Sequence, residues 1–244
     1  MTNTTRTAVI IGVGPGLGMS MARKFGREGY RVALISRSDA RHGDYLADLS
    51  ALGIEATAHT ADVTDPDRLA AVLAEIAAAG DIEFAYYGPT PAQLPVPITQ
   101  VDVATARTAF DWVWPAIQLV GAVLPGMVER GTGGVMISGG LSSVRPLPML
   151  GQLALVVAAL RNYALTLNAA LADQGVYAGT LTIGGLVERG DIHAMVTADP
   201  STFGGAQAHT LDPDDIAETA WEMYRKRDRA ETVFDALGDR LKIS

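Results

Sequence analysis

The run Gly12-Val13-Gly14-Pro15-Gly16-Leu17-Gly18 is the part of this sequence best suited to chemistry. Glycines let a chain turn tightly and let backbone N–H groups close on an anion at a helix N-terminus. The chemistry on offer is phosphate binding. The common dinucleotide spacing GxGxxG fails in every frame, because Leu17, Met19 or Met21 takes the last glycine's place. The spacing GxxxGxG fits, with Gly12, Gly16 and Gly18. Further on, Ser36-Arg37 closes a second apolar run. An acid there would bind ribose hydroxyls, whereas a planar guanidinium suits a 2′-phosphate, so Arg37 favours NADP(H) over NAD(H). Arg41 and His42 add to that reading. Asp39 is the counter-signal, an acid within one register shift of the ribose.

Other chemistries lack their residues. The 244-residue chain has no cysteine, which excludes disulfides, thiolate metal sites and cysteine nucleophiles. Its four histidines, His42, His59, His193 and His209, show no metal-ligand spacing. A net charge of −8 makes a nucleic-acid partner a poor expectation. A chain 48% hydrophobic can fill a large core, which excludes disorder. The longest apolar run, Leu147 to Leu160, falls short of a membrane span. MTNTTRTAVIIG does not form a secretory signal, so a cytoplasmic location is expected.

The glycine run needs elements to hold it, and the sequence supplies them in alternation. Ala8 to Val13, Arg31 to Ser36, Glu55 to Thr60 and Ile82 to Tyr87 read as strands. Leu17 to Glu28, Asp39 to Leu52 and Asp65 to Ala79 read as the helices between them. A long helical stretch follows from Ala104 to Arg130, which Pro115 and Pro125 should kink or end. Then come strand Gly134 to Ser138, helix Met149 to Asp173 and strand Tyr177 to Ile183. The stretch Gly184 to Thr210 is irregular, with room for one short helix. Helix Pro213 to Arg227 and a short strand Thr232 to Phe234 complete the pattern. This order predicts one α/β domain over residues 1–244, a Rossmann-type, doubly wound parallel sheet of about seven strands. Its ligand should bind outside the carboxyl ends of the strands.

From Thr7 to about Ala220 the chain resembles the short-chain dehydrogenase/reductase family. The resemblance rests on the GxxxGxG turn, FGREGYRVALISR, GAVLPGMVERGTGGVMIS and DPDDIAE. It implies that Gly12, Gly14, Pro15, Gly16, Leu17 and Gly18 hold the cofactor's phosphates. It further implies an adenine contact from Asp62, packing of Val63 on the ring, and cofactor contacts from Gly88, Pro89, Ile183 and Gly184. Residues of about 184–212 would form a substrate lid. The family usually pairs its long helices across two-fold axes, which implies a homodimer or homotetramer through helices 104–130 and 149–173. A helix apolar on every side, like 149–173, also calls for cover beyond one sheet.

The catalytic half departs from the family. The resemblance calls for a Tyr-x-x-x-Lys pair on the second long helix, a Ser before it and an Asn on the first. The only lysines are Lys24, Lys226 and Lys242. Leu153 and Val157, or Gln152 and Val156 in the neighbouring frame, stand where the pair belongs. Gly140 falls near the Ser position, flanked by Ser138, Ser142 and Ser143, and Trp112 near the Asn. Trp112, Trp114, Tyr86 and Tyr87, with Met149, Leu150 and Leu153, would make an apolar, aromatic pocket or else fill the core. Tyr163 lies ten residues past Leu153, roughly 15 Å along a helix, and reads as packing. Tyr87, Ser138 and Ser142 are the candidate catalytic hydroxyls. Glu188, Asp191, His193 and His209 are lid groups open to either reading. The expectation is an atypical NADP(H)-dependent oxidoreductase acting on a small, apolar or aromatic, activated acceptor such as an alkene, imine, quinone or carbonyl. The alternative is a non-redox protein of the same fold that binds NADP(H) or an apolar ligand as sensor or scaffold.

Overall fold

Ala8, Val9, Ile10 and Ile11 have no exposure at all, the signature of a strand covered on both faces. The computed structural model describes residues 6–89, 94–199 and 208–238. Its strands are β1 (Arg6–Ile11), β2 (Arg31–Ser36), β3 (Ala56–Thr60), β4 (Asp81–Tyr87), β5 (Gly133–Gly140), β6 (Val176–Gly184), β7 (Leu186–Val187), β8 (Thr210–Leu211) and β9 (Glu231–Asp235). Seven of them form one sheet in the order β3-β2-β1-β4-β5-β6-β9, with every pairing parallel. β7 and β8 pair separately. The order reverses between β1 and β4, so the switch-point crevice opens at their carboxyl ends. The expected α/β, doubly wound parallel fold is the one observed.

The helices are α1 (Leu17–Arg27), α2 (His42–Ala51), α3 (Pro66–Ala79), α4 (Val103–Phe110), α5 (Trp114–Arg130), α6 (Gly151–Leu171), α7 (Asp191–Ala198) and α8 (Pro213–Lys226). They cover both faces. On one, α1 and α8 bury Met19, Met21, Phe25, Ile216 and Met223 against Ile10, Leu34 and Tyr86. On the other, α3, α5 and α6 bury Leu69, Val72, Leu119, Val123 and Leu160 against Val9, Ile35 and Tyr87. Tyr86 and Tyr87 point to opposite faces because strand side chains alternate.

Capping follows the sequence. Asp65 accepts from the Arg68 N–H at 3.0 Å and starts α3; Asp212 caps α8 in the same manner. The expected long helix 104–130 is two helices, broken at 111–113. Pro115 stands in the first turn of α5, where its missing N–H costs nothing, while Pro125 lies inside α5 without ending it. Averaged over their length, the stretches Val103–Arg130 and Pro148–Leu171 are apolar and long enough to cross a membrane. Counting unbroken apolar runs misses this. In the fold, α5 packs on β4 and β5, and α6 on β5 and β6.

Candidate functional site

The turn after β1 is tied to both of its neighbours. Gly12 and Val13 donate to the Ile35 carbonyl at the end of β2, at 3.0 and 3.2 Å. Gly12 has φ +84°, and a Cβ there would lie 2.5 Å from the Pro89 nitrogen. Only glycine satisfies both demands. Gly88-Pro89 of the β4 loop therefore lie directly against the turn. Gly14, Pro15, Gly16 and Leu17 arch into α1, closed by a Met19 N–H bond to the Gly14 carbonyl at 3.1 Å. Gly16 caps α1 with no side-chain bond, and the first turn holds no acid. The Leu17 and Gly18 N–H groups and the positive end of the helix dipole are left to an external anion.

The end of β2 supplies charge and hydrogen bonds. Arg37 is exposed. The Ser36 hydroxyl donates to the Ser38 carbonyl at 2.9 Å and lies 2.7 Å from His42 Nε2. A hydroxyl has one proton, so this network assigns the Nε2 proton to His42. Asp62 accepts from the Thr64 N–H and hydroxyl at 2.9 and 2.7 Å. Those bonds, helped by the Arg37 charge, hold its carboxyl below the usual range. Val63 is 4% exposed and belongs to the core cluster of Ile35 and Leu69. It offers almost no surface to an adenine ring, which corrects the expected packing role.

The candidate catalytic hydroxyls do not converge as expected. Tyr87 is 2% exposed, and its hydroxyl donates to the Trp112 carbonyl at 2.7 Å. Burial also raises its pKa. Its proton is committed to the break between α4 and α5, which corrects the reading of Tyr87 as proton donor. Beside Ser138, burial pushes the pKa of the Tyr86 hydroxyl up to about 12. Ser138 Oγ also lies 3.4 Å from the Tyr87 carbonyl. Ser142 is half-buried beside Gly140; a Cβ on Gly140 would sit 3.8 Å from its Oγ.

The aromatic pocket is not assembled. Trp114 is 57% exposed and Met149 is exposed, while Tyr86 and Tyr87 are split between the two cores. Trp112 and Tyr163 pack on the core of α5 and α6. Val157 does stand beside Gly139 and Gly140. At the far side, Gly184 is buried, with Leu141 filling the space a Cβ would need. Three of the four lid groups are partnered: Glu188 accepts from Thr210, Asp191 holds Arg41, and His209 Nδ1 lies 2.9 Å from the Ala236 carbonyl.

Two features escape a reading of the sequence. Gln152, only 2% exposed, accepts from the Val96 N–H at 3.0 Å and donates to the Leu94 carbonyl at 3.1 Å. It pins the chain after β4 onto the start of α6. A glutamine among apolar residues is the one signal for it. The second is Arg161, which grips Glu231 with two bonds of 2.7 and 2.6 Å while Thr182 donates to the same carboxylate. Nothing local links residues so far apart in sequence.

A parallel sheet with a glycine turn and an uncapped helix at its switch point defines a Rossmann-type dinucleotide fold. Residues 6–187 match the short chain dehydrogenase family, and the chain belongs to that family. It is 32% identical over 139 residues to a 1-deoxy-11-beta-hydroxypentalenate dehydrogenase of Streptomyces arenae, covering 54% of this chain and 48% of the relative. A putative ketoacyl reductase of Streptomyces coelicolor is 30% identical over 146 residues, 55% of this chain and 53% of that protein. The chain thus aligns with about half the length of these curated relatives. Among solved structures, a 3-oxoacyl (acyl-carrier-protein) reductase of Agrobacterium tumefaciens with NADP bound superposes with a TM-score of 0.84 at 19% identity, covering 94% and 92% of the two chains. A metagenomic short-chain oxidoreductase in complex with NADP gives 0.77 at 20% identity, covering 94% and 96%.

Proposed function

We propose that this chain is an NADP(H)-dependent oxidoreductase acting on a small, activated acceptor. The carrying observation is the uncapped N-terminus of α1 beneath the Gly12–Gly18 turn, with exposed Arg37 at the end of β2. The donor set fits the cofactor: backbone N–H groups of the turn for the pyrophosphate, Ser36 and Arg37 for the 2′-phosphate, Asp62 for the adenine. Gly88, Pro89, Ile183 and Gly184 bound the nicotinamide end. The bound nicotinamide supplies hydride-transfer chemistry. Among the described residues, the groups on the substrate side are few. α6 carries no lysine, and the two tyrosine hydroxyls at the carboxyl end of β4 are buried with raised pKa values. Among the described residues, Ser142 is a half-buried hydroxyl placed to hydrogen-bond a substrate. Such a site suits alkenes, imines or quinones that need little acid help.

A second reading is a non-redox protein that keeps NADP(H) as sensor or structural ligand. Val157 against Gly139 and Gly140, where the family resemblance calls for lysine, favours it. In either case the exposed faces of α5 and α6, with Trp114, Ile117, Val128 and Leu155, support a homodimer or homotetramer.

Calorimetric titration with NADPH and NADH tests the cofactor half without a guess at the substrate. Micromolar NADPH binding, weakened at least tenfold by Arg37→Asp, is expected. No binding of either nucleotide refutes both readings. Tight NADPH binding without oxidation by any activated acceptor favours the second.

A further inference from the structure

We propose that Asp191 is the resident counterion of Arg41, a latch that holds the lid on the phosphate loop and that an incoming 2′-phosphate must displace. The inference rests on the NADP(H) reading and extends it to the lid. Arg41 is the N-cap position of α2, close behind Ser36 and Arg37. Its Nη1 donates to Asp191 Oδ2 at 2.9 Å, across 150 positions of sequence. Asp191 opens α7, the lid helix.

The lid is seated there by a second contact. A Cβ on Gly16 would lie 3.0 Å from both the Glu188 carbonyl oxygen and the Gly190 nitrogen. The lid backbone therefore rests on the middle glycine of the turn, above the N-terminus of α1. Two residues before Asp191, the lid has a further anchor. Arg189, at φ +65°, bonds Asp212 and Asp214 at 2.8 and 2.9 Å at the start of α8. Residues 188–191 are thus held on α8 through Arg189 and clipped to α2 through the Arg41–Asp191 ion pair.

A phosphate dianion beside Ser36 and Arg37 competes with Asp191 for the Arg41 guanidinium. Guanidinium binds phosphate and carboxylate with the same fork, so exchange is chemically direct. A dinucleotide without the 2′-phosphate has nothing to offer Arg41 and leaves the clip closed. Asp191 then acts as a specificity-determining residue: it taxes NADPH binding and couples it to lid release.

The pair is exposed, so its rupture changes an equilibrium constant by up to about fivefold. Titrations of the full chain and of Asp191→Asn, Arg41→Gln and the double variant test it. Asp191→Asn should tighten NADPH about two- to fivefold, leave NADH within about twofold, and have no effect once Arg41 is glutamine. An unchanged NADPH affinity, or an equal change for NADH, overturns the proposal. Tryptic cleavage after Arg189, followed by fragment mass without nucleotide, reads the latch separately. Asp191→Asn should speed it several-fold, and an unchanged rate overturns the latch. Failure of both nucleotides to bind the unaltered chain instead removes the NADP(H) reading and the competition with it, whatever the cleavage rates show.

Discussion

Tyr87→Phe removes one oxygen from the core and separates a structural role from a catalytic one. The break at 111–113 leaves the Trp112 carbonyl without a helical N–H donor, and the Tyr87 hydroxyl fills that vacancy at 2.7 Å. Phenylalanine keeps the ring, so no large cavity forms; the loss is one buried hydrogen bond with its acceptor stranded. An unsatisfied buried acceptor costs about 1–3 kcal/mol. At about 2 kcal/mol, a chain of this length should lose about 4–8 °C in Tm. Urea unfolding followed by circular dichroism gives the free energy, and a thermal scan gives the shift. Activity per folded molecule should stay unchanged. A variant within about 0.5 kcal/mol of the parent would refute the reasoning. A loss of turnover at full stability would restore Tyr87 as proton donor.

Glu231→Gln should cost about 1.5–3 kcal/mol at neutral pH, because it weakens charged hydrogen bonds to Arg161 and Thr182. The Arg161 bonds hold the Glu231 carboxyl below its ordinary value of 4.5. Its stabilisation is therefore present above about pH 4.5 and lost as pH falls through the folded-state pKa, and the glutamine variant should show a flatter acid limb in urea titrations between about pH 5 and 3. Trp114→Glu places a charge on the exposed face of α5 and should shift sedimentation toward the monomer with little loss of monomer stability; an unchanged oligomer would remove that face from the interface.

The fold was legible because its signals are local. Four β-branched runs separated by helical patterns set β1 to β4 within a residue or two, and the helix read from Asp65 to Ala79 falls on α3. The glycine turn was legible for the same reason: strand, turn and helix are contiguous. Tyr87 was misjudged because a sequence shows that a tyrosine ends a strand, not that a broken helix 25 positions later presents a bare carbonyl to it. Val63 was misjudged because one position decides whether a residue faces the core. The tryptophans were grouped by type, yet Trp112 and Trp114 fall on opposite sides of a helix start. Gln152 and the Arg161–Glu231 pair depend on contacts far apart in sequence, which no periodicity encodes.

The Arg161–Glu231 grip also bears on the order in which the chain folds. β9 is the last strand of the sheet to be synthesised, and it joins at the edge, parallel to β6 and beyond α8. Parallel pairs need a crossover, so this edge closes late. Until Glu231 arrives, Arg161 and Thr182 face a polar gap with no counter-charge. A nascent chain can thus assemble β1 to β6 during translation but keeps one open, charged sheet edge until β9 docks.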